Sequence, residues 1–130
     1  MNEAAVQTAI RIRAGELGIP LCRNNSGACV DSTGRMIRYG LANDSAQMSK
    51  RIKSGDLIGM LPHKFGEEFD GPSALFISVE CKRSDWHADP ARFNEREQAQ
   101  QNWIDFVREH GGVAGFCRSV AEFEQLIGFK

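Results

Sequence analysis

Asp56, Glu80 and Lys82 are the residues of this 130-residue chain whose types and spacing could do chemistry. Asp56 stands twenty-four residues before Glu80, and Lys82 two beyond it, in the pattern D-x23-E-x-K. Side chains two apart on a strand share a face, so Glu80 and Lys82 project together while Leu75, Ile77, Val79 and Cys81 point the other way. The pair ends the run Ala74 to Val79, where a buried strand would ordinarily stay apolar. Two carboxylates on adjacent strands offer hard oxygen ligands suited to Mg2+ or Mn2+, ions that keep open positions for water and a phosphate oxygen. Such an ion lowers the pKa of its water and offsets charge on a phosphoryl group. Lys82 would then orient or deprotonate the attacking water, or stabilise the transition state, and the pattern admits each role. Taken alone, E-x-K is also an ordinary ion pair on a surface strand.

The elements that must position these residues read as a single α/β domain, the size at which one compact core forms. Residues 2 to 17 form a predicted helix capped by Asn2, with Val6, Ile10, Ala14 and Leu17 on one stripe. Glu3 heads that stripe, where it either meets the positive end of the helix dipole or points inward at a site. Ile19 to Asn25 reads as a short strand, and Gly27 to Gly40 as a hairpin region with Met36 to Tyr39 as its return. Residues 40 to 54 read as a polar loop, either solvated or touching phosphate through Lys50, Arg51 and Lys53. A strand over 54 to 61 starts with Asp56, and a surface turn from Pro62 to Ser73 leads into the strand Ala74 to Arg83. A long helix is expected from Ala91 to His110, stopped by Gly111 and Gly112. Gln100 falls inside its apolar stripe of Phe93, Trp103, Ile104 and Val107, so its amide is either a structural hydrogen-bonder or reaches a site on the sheet. Val113 to Arg118 makes a last strand, and Ser119 to Glu122 a capping box opening a final helix.

The net charge of −1 and pI near 6.3 give no global basic signature. Distribution is more informative, since residues 1 to 64 carry nine Lys and Arg against five Asp and Glu, while 65 to 130 carry seven against twelve. Cys22, Cys29, Cys81 and Cys117 form no C-x-x-C pair and read as reduced, buried thiols of a cytoplasmic protein. No signal peptide and no membrane span is expected. His63, His87 and His110 lack zinc-ligand spacing, and Trp86 reads as a loop anchor rather than a base-stacking platform.

Taken together, the chain resembles the virus-type replication-repair nuclease (VRR-NUC) branch of the PD-(D/E)XK nuclease superfamily over nearly its whole length. The resemblance is carried by Glu3, Arg23-Asn24-Asn25, Arg38-Tyr39-Gly40, Ser54-Gly55-Asp56-Leu57, Glu80-Cys81-Lys82, Ala99-Gln100 ahead of Trp103-Ile104, and Gly111-Gly112. Gly55 occupies the position where the superfamily name implies Pro, as the looser replication-repair pattern allows. The resemblance implies a restriction-endonuclease-like mixed central sheet flanked by helices, and a Mg2+- or Mn2+-dependent phosphodiesterase acting on DNA, of phage or prophage origin. It implies Asp56 and Glu80 as metal ligands, the Cys81 backbone carbonyl as a further one, Glu3 assisting at the metal, Lys82 as catalytic, and Gln100 as the family's helix-borne glutamine. Nucleic-acid contacts are expected at Arg23, Asn24, Arg38, Tyr39, Lys53 and Arg83, and a homodimer would supply two active sites to a branched substrate. The competing expectation is a non-catalytic nucleic-acid-binding or assembly module on the same fold. A sequence-specific restriction-type nuclease would need a recognition insert, which the chain does not show.

Overall fold

A computed structural model describes residues 1–63 and 72–129, so most of the turn expected between Pro62 and Ser73 lies outside the described residues. Helix α1 (Glu3–Glu16) begins where the Asn2 side chain accepts the Ala5 amide at 2.8 Å. Its stripe of Val6, Ile10 and Ala14 is buried as expected. Strand β1 (Leu21–Arg23) follows, then the hairpin of β2 (Gly27–Val30) and β3 (Met36–Tyr39), which forms a two-stranded sheet of its own. The central sheet adds β4 (Leu57–His63), β5 (Ser73–Cys81) and β6 (Val113–Cys117) in the order β1-β4-β5-β6. Its first two pairings are antiparallel and the last parallel, so the sheet is mixed.

Helices cover both faces. Ile77, Val79 and Cys81 pack with Val6, Ile10 and Ala14 of α1 and with Phe123 of α4 (Val120–Leu126). On the opposite face, Trp103, Ile104 and Val107 of α3 (Glu95–Glu109) pack against Ala114. The alternation expected along β5 therefore holds over its inner half: Ile77, Val79 and Cys81 enter one core, and Ser78 and Glu80 face α3. Pro62 costs β4 no ladder bond, because the Met60 amide points toward β1 and residue 62 shares that direction beyond the end of β1. Among the described residues, no helix is long and apolar enough to cross a membrane.

Four expectations need correction. The helix expected over 91–110 is split, with a 3-10 turn over Pro90–Arg92 and an extended Phe93 before α3. Asn94 accepts the Glu97 amide at 2.8 Å and Glu97 accepts the Asn94 amide at 3.1 Å, a reciprocal cap that starts the helix only there. Residues 40–54 are not all loop, since Ser45 caps a short helix α2 (Ala46–Arg51) that buries no residue and so leaves no apolar period to read. Of the four free thiols only Cys81 and Cys117 are buried. Cys22 lies on an edge strand and Cys29 on the two-stranded hairpin, neither of which is sandwiched between helices.

The strand expected over 54–61 begins three residues later, at Leu57. Asn24 holds the preceding segment, donating to the Ser54 hydroxyl at 2.8 Å and the Gly55 carbonyl at 2.9 Å, while its amide reaches the Asp56 carbonyl at 2.7 Å. Gly55 presses against β5 so closely that a Cβ there would stand 2.5 Å from Ser78 Oγ and 3.0 Å from the Val79 carbonyl oxygen. Gly55→Ala is expected to cost about 1–3 kcal/mol through overpacking. The check is urea unfolding, where the midpoint falls at unchanged m-value; an unchanged midpoint would contradict the close approach.

Candidate metal and nucleic-acid site

Helix α3 lies across β5 with polar groups in matching order. Trp103 Nε1 donates to Ser78 Oγ at 2.9 Å, Gln100 Nε2 to Glu80 Oε1 at 2.9 Å, and Lys82 Nζ to Gln100 Oε1 at 2.8 Å. Glu97, Gln100 and Trp103 are three apart, so one row of the helix supplies all of these contacts. The orientation of the Gln100 amide is dictated by its neighbours, because an ammonium only donates and a carboxylate only accepts. Glu80, Lys82 and Gln100 are all buried, at 5%, 6% and 2% exposure.

Lys82 is held from several sides. Its backbone amide donates to the Cys117 carbonyl at 2.9 Å, extending the β5–β6 ladder by one residue. Its ammonium lies 5.2 Å from the Trp86 ring centroid and 5.7 Å from that of Phe116, within cation–π range. Trp86 stacks on Phe93 at 5.5 Å and donates its indole N–H to Glu97 Oε2, so it is the loop anchor expected of it. Burial pushes the Glu97 carboxyl up, yet hydrogen bonds from Asn94 and Trp86, with Lys82 and His87 nearby, hold it below its ordinary value.

Asp56 meets Glu80 from the start of β4. Its Oδ2 accepts the Cys81 amide at 2.9 Å, which fixes the carboxylate against β5. Burial raises the Glu80 carboxyl well above the ordinary range, the neighbouring Asp56 carboxylate raises it further, and Lys82 and Arg96 act in the opposite direction. Both acids open into a cleft of about 420 Å3 whose lining includes Asn24, Arg38, Lys53, Arg96 and Gln100.

The expected site residues thus divide. Asp56, Glu80, Gln100, Asn24, Arg38 and Lys53 share this cleft, and Lys82 joins it through Gln100. Asn24 has its side chain committed to Ser54, Gly55 and Leu41, so it builds the cleft wall. Cys81 brings its amide to Asp56, while its thiol is buried on the α1 side, where burial and then the surrounding acids, Glu3 among them, raise it well above its usual range. Glu3 itself is exposed in the first turn of α1. Among the described residues, no three His, Cys, Asp or Glu side chains gather as a metal cluster, and Glu3 does not line the cleft that Asp56 and Glu80 share. Arg23, Tyr39 and Arg83 are exposed and do not line the cleft, and Arg83 pairs with Asp85 at 2.8 Å.

Sequence reasoning passed over Arg96 and Asn43. Arg96 lies one helical turn before Gln100, and that i, i+4 spacing was the signal that places it on the same face. Asn43 is buried and donates to the Gly27 and Tyr39 carbonyls at 2.8 and 2.9 Å while accepting from Arg38 Nη1 at 3.0 Å, which ties the hairpin to the cleft. Nothing in its local pattern marks it. Comparison with models of protein families, with curated proteins and with solved structures returns no match to this chain.

A carboxyl whose pKa folding raises is bound to its proton more tightly in the folded state. Glu80 therefore costs the fold stability as pH climbs from the ordinary glutamate range through the raised value. Glu80→Gln keeps an acceptor for Gln100 and removes that charge. In a chelator, its melting temperature should exceed that of wild type at pH 8, with the gap closing toward pH 5; a gap independent of pH would contradict the acid pairing.

Proposed function

We propose that this chain is a Mg2+- or Mn2+-dependent DNA endonuclease of the VRR-NUC type. The observation that carries this reading is Asp56 beside Glu80 at the floor of a cleft lined by Arg38, Lys53 and Arg96. An acid pair is unfavourable without a cation between its members, and cations along the walls favour a polyanion. The donor set suits a hard ion, because the open groups are carboxylate oxygens and the neighbouring Cys81 and Cys117 thiols are buried in the opposite core. Asp56, Glu80 and the Cys81 carbonyl would hold the ion, with Glu3 as the outer acid that the resemblance implies. When bound, the metal supplies a water of lowered pKa and neutralises charge at the phosphoryl oxygens.

The chain's own residues do the rest. The Cys81 amide holds Asp56 in place, and Gln100 fixes which Glu80 oxygen is engaged and which is left for the cleft. Lys82, linked to Glu80 through the same amide, supplies a positive charge at the attacking water or at the phosphoryl group. Branched or junction DNA as substrate, a homodimer presenting two sites, a cytoplasmic location and a role in phage replication, recombination or repair belong to the same proposal.

The test is cleavage of labelled branched and linear DNA in Mn2+, comparing wild type with Lys82→Ala and Asp56→Asn. Each variant should cut slower by about 100-fold or more. Equal cutting by all three, or none with any metal, would sink the enzyme reading and leave a non-catalytic binding module. Full activity from a strictly monomeric protein in light scattering would remove the dimer.

A further inference from the structure

We propose that Arg38, Lys53 and Arg96 form a three-cation track that grips the phosphates of a DNA strand in the cleft of the acid pair without stacking on its bases. The inference deepens the nuclease reading and rests on it for the identity of the polyanion. Three separate elements deliver the cations to one cleft: β3 brings Arg38, the segment after α2 brings Lys53, and the first turn of α3 brings Arg96.

None of the three is paired with a carboxylate among the described residues, whereas Arg13, Arg83 and Arg118 are each ion-paired at 2.8 to 2.9 Å. Arg38 is held instead by the neutral Asn43 Oδ1 at 3.0 Å, and Lys53 by the neutral Ser49 Oγ at 3.1 Å. A neutral acceptor orients a cation without cancelling its charge, and one such bond leaves a guanidinium four of its five N–H donors. Arg96 acts on Glu80 electrostatically, so it also offsets the acidic floor that an approaching phosphate must face.

Base reading by stacking has no support in this cleft, because no aromatic ring lines it among the described residues. Trp86, Phe93 and Phe116 are engaged with one another, and Trp103 is buried against Ser78. What the cleft offers a strand is charge and small polar groups, which suit the phosphate backbone rather than stacking on bases.

The experiment is fluorescence anisotropy of the full chain in EDTA with labelled single strands of thymidine and of deoxyadenosine, titrated across salt. Three phosphates on a single strand give a slope of log K against log salt of about −2, at ~0.7 per phosphate. Arg96→Gln, Lys53→Gln and Arg38→Gln should each make the slope shallower by about 0.7, equally on both homopolymers, while Arg11→Gln on the exposed face of α1 leaves it unchanged. A slope indifferent to Arg96→Gln, or a loss confined to one homopolymer, would overturn the track. Because binding in EDTA needs neither metal nor cleavage, the two readings fail separately. Cutting with insensitive slopes removes the track, and shifted slopes without cutting remove the nuclease.

Discussion

A single carboxamide stands between a buried ammonium and a buried carboxylate, and much of the molecule is arranged so that it can. A direct Lys82–Glu80 pair would be the simplest way to bury both charges, but it would spend the lysine on neutralising the acid. Gln100 satisfies each with one end of its amide, so neither group is spent on neutralising the other. Such a bridge works only if α3 sits in one register on β5, since a buried polar group that misses its partner costs about 1–3 kcal/mol. The Trp103–Ser78 bond on one side of Gln100 and the Glu97–Trp86 bond on the other fix that register. Among the described residues, no buried side-chain polar atom lacks a partner.

The other face of the sheet carries the larger of the two apolar cores. Val6, Ile10, Leu57, Ile77, Val79 and Phe123 are at most 1% exposed, and each fully buried side chain of this kind contributes roughly 1.5–3 kcal/mol. β5 divides the two tasks by alternation alone: one set of side chains makes a core and the other a site. Asp56 enters from β4 because the chain before it is bare at Gly55 and held by Asn24. The acid pair is thus a product of strand pairing and one missing side chain.

Much of this was legible in the sequence because it is written in short periods. A repeat of two along β5 set Glu80 and Lys82 together, and a repeat of 3.6 put Gln100 on the buried stripe of α3. The capping box at Asn94 and Glu97 was equally local, but the apolar Phe93 drew the helix start too early. Cys22 and Cys29 sit in real strands, yet a strand pattern does not say whether a helix will cover it. Asn43 was invisible for a different reason: its partners Gly27, Arg38 and Tyr39 are brought round it by the hairpin, and its meaning is entirely tertiary. The same holds for Arg96, whose place on the helix face was readable while the cleft before it was not.

That hairpin is stitched to the remainder by few threads. Among the described residues β2 and β3 pair only with each other, and the Asn43 side chain closes their base, while Asp31 folds the exposed tip by accepting the Thr33 and Arg35 amides. Strand length and tip sequence can therefore drift without touching either core. The cleft is thus an adjustable gauge mounted on a fixed floor: lengthening, shortening or recharging one appendage would reshape its wall, while the acids beneath keep the supports that β5 and α3 give them.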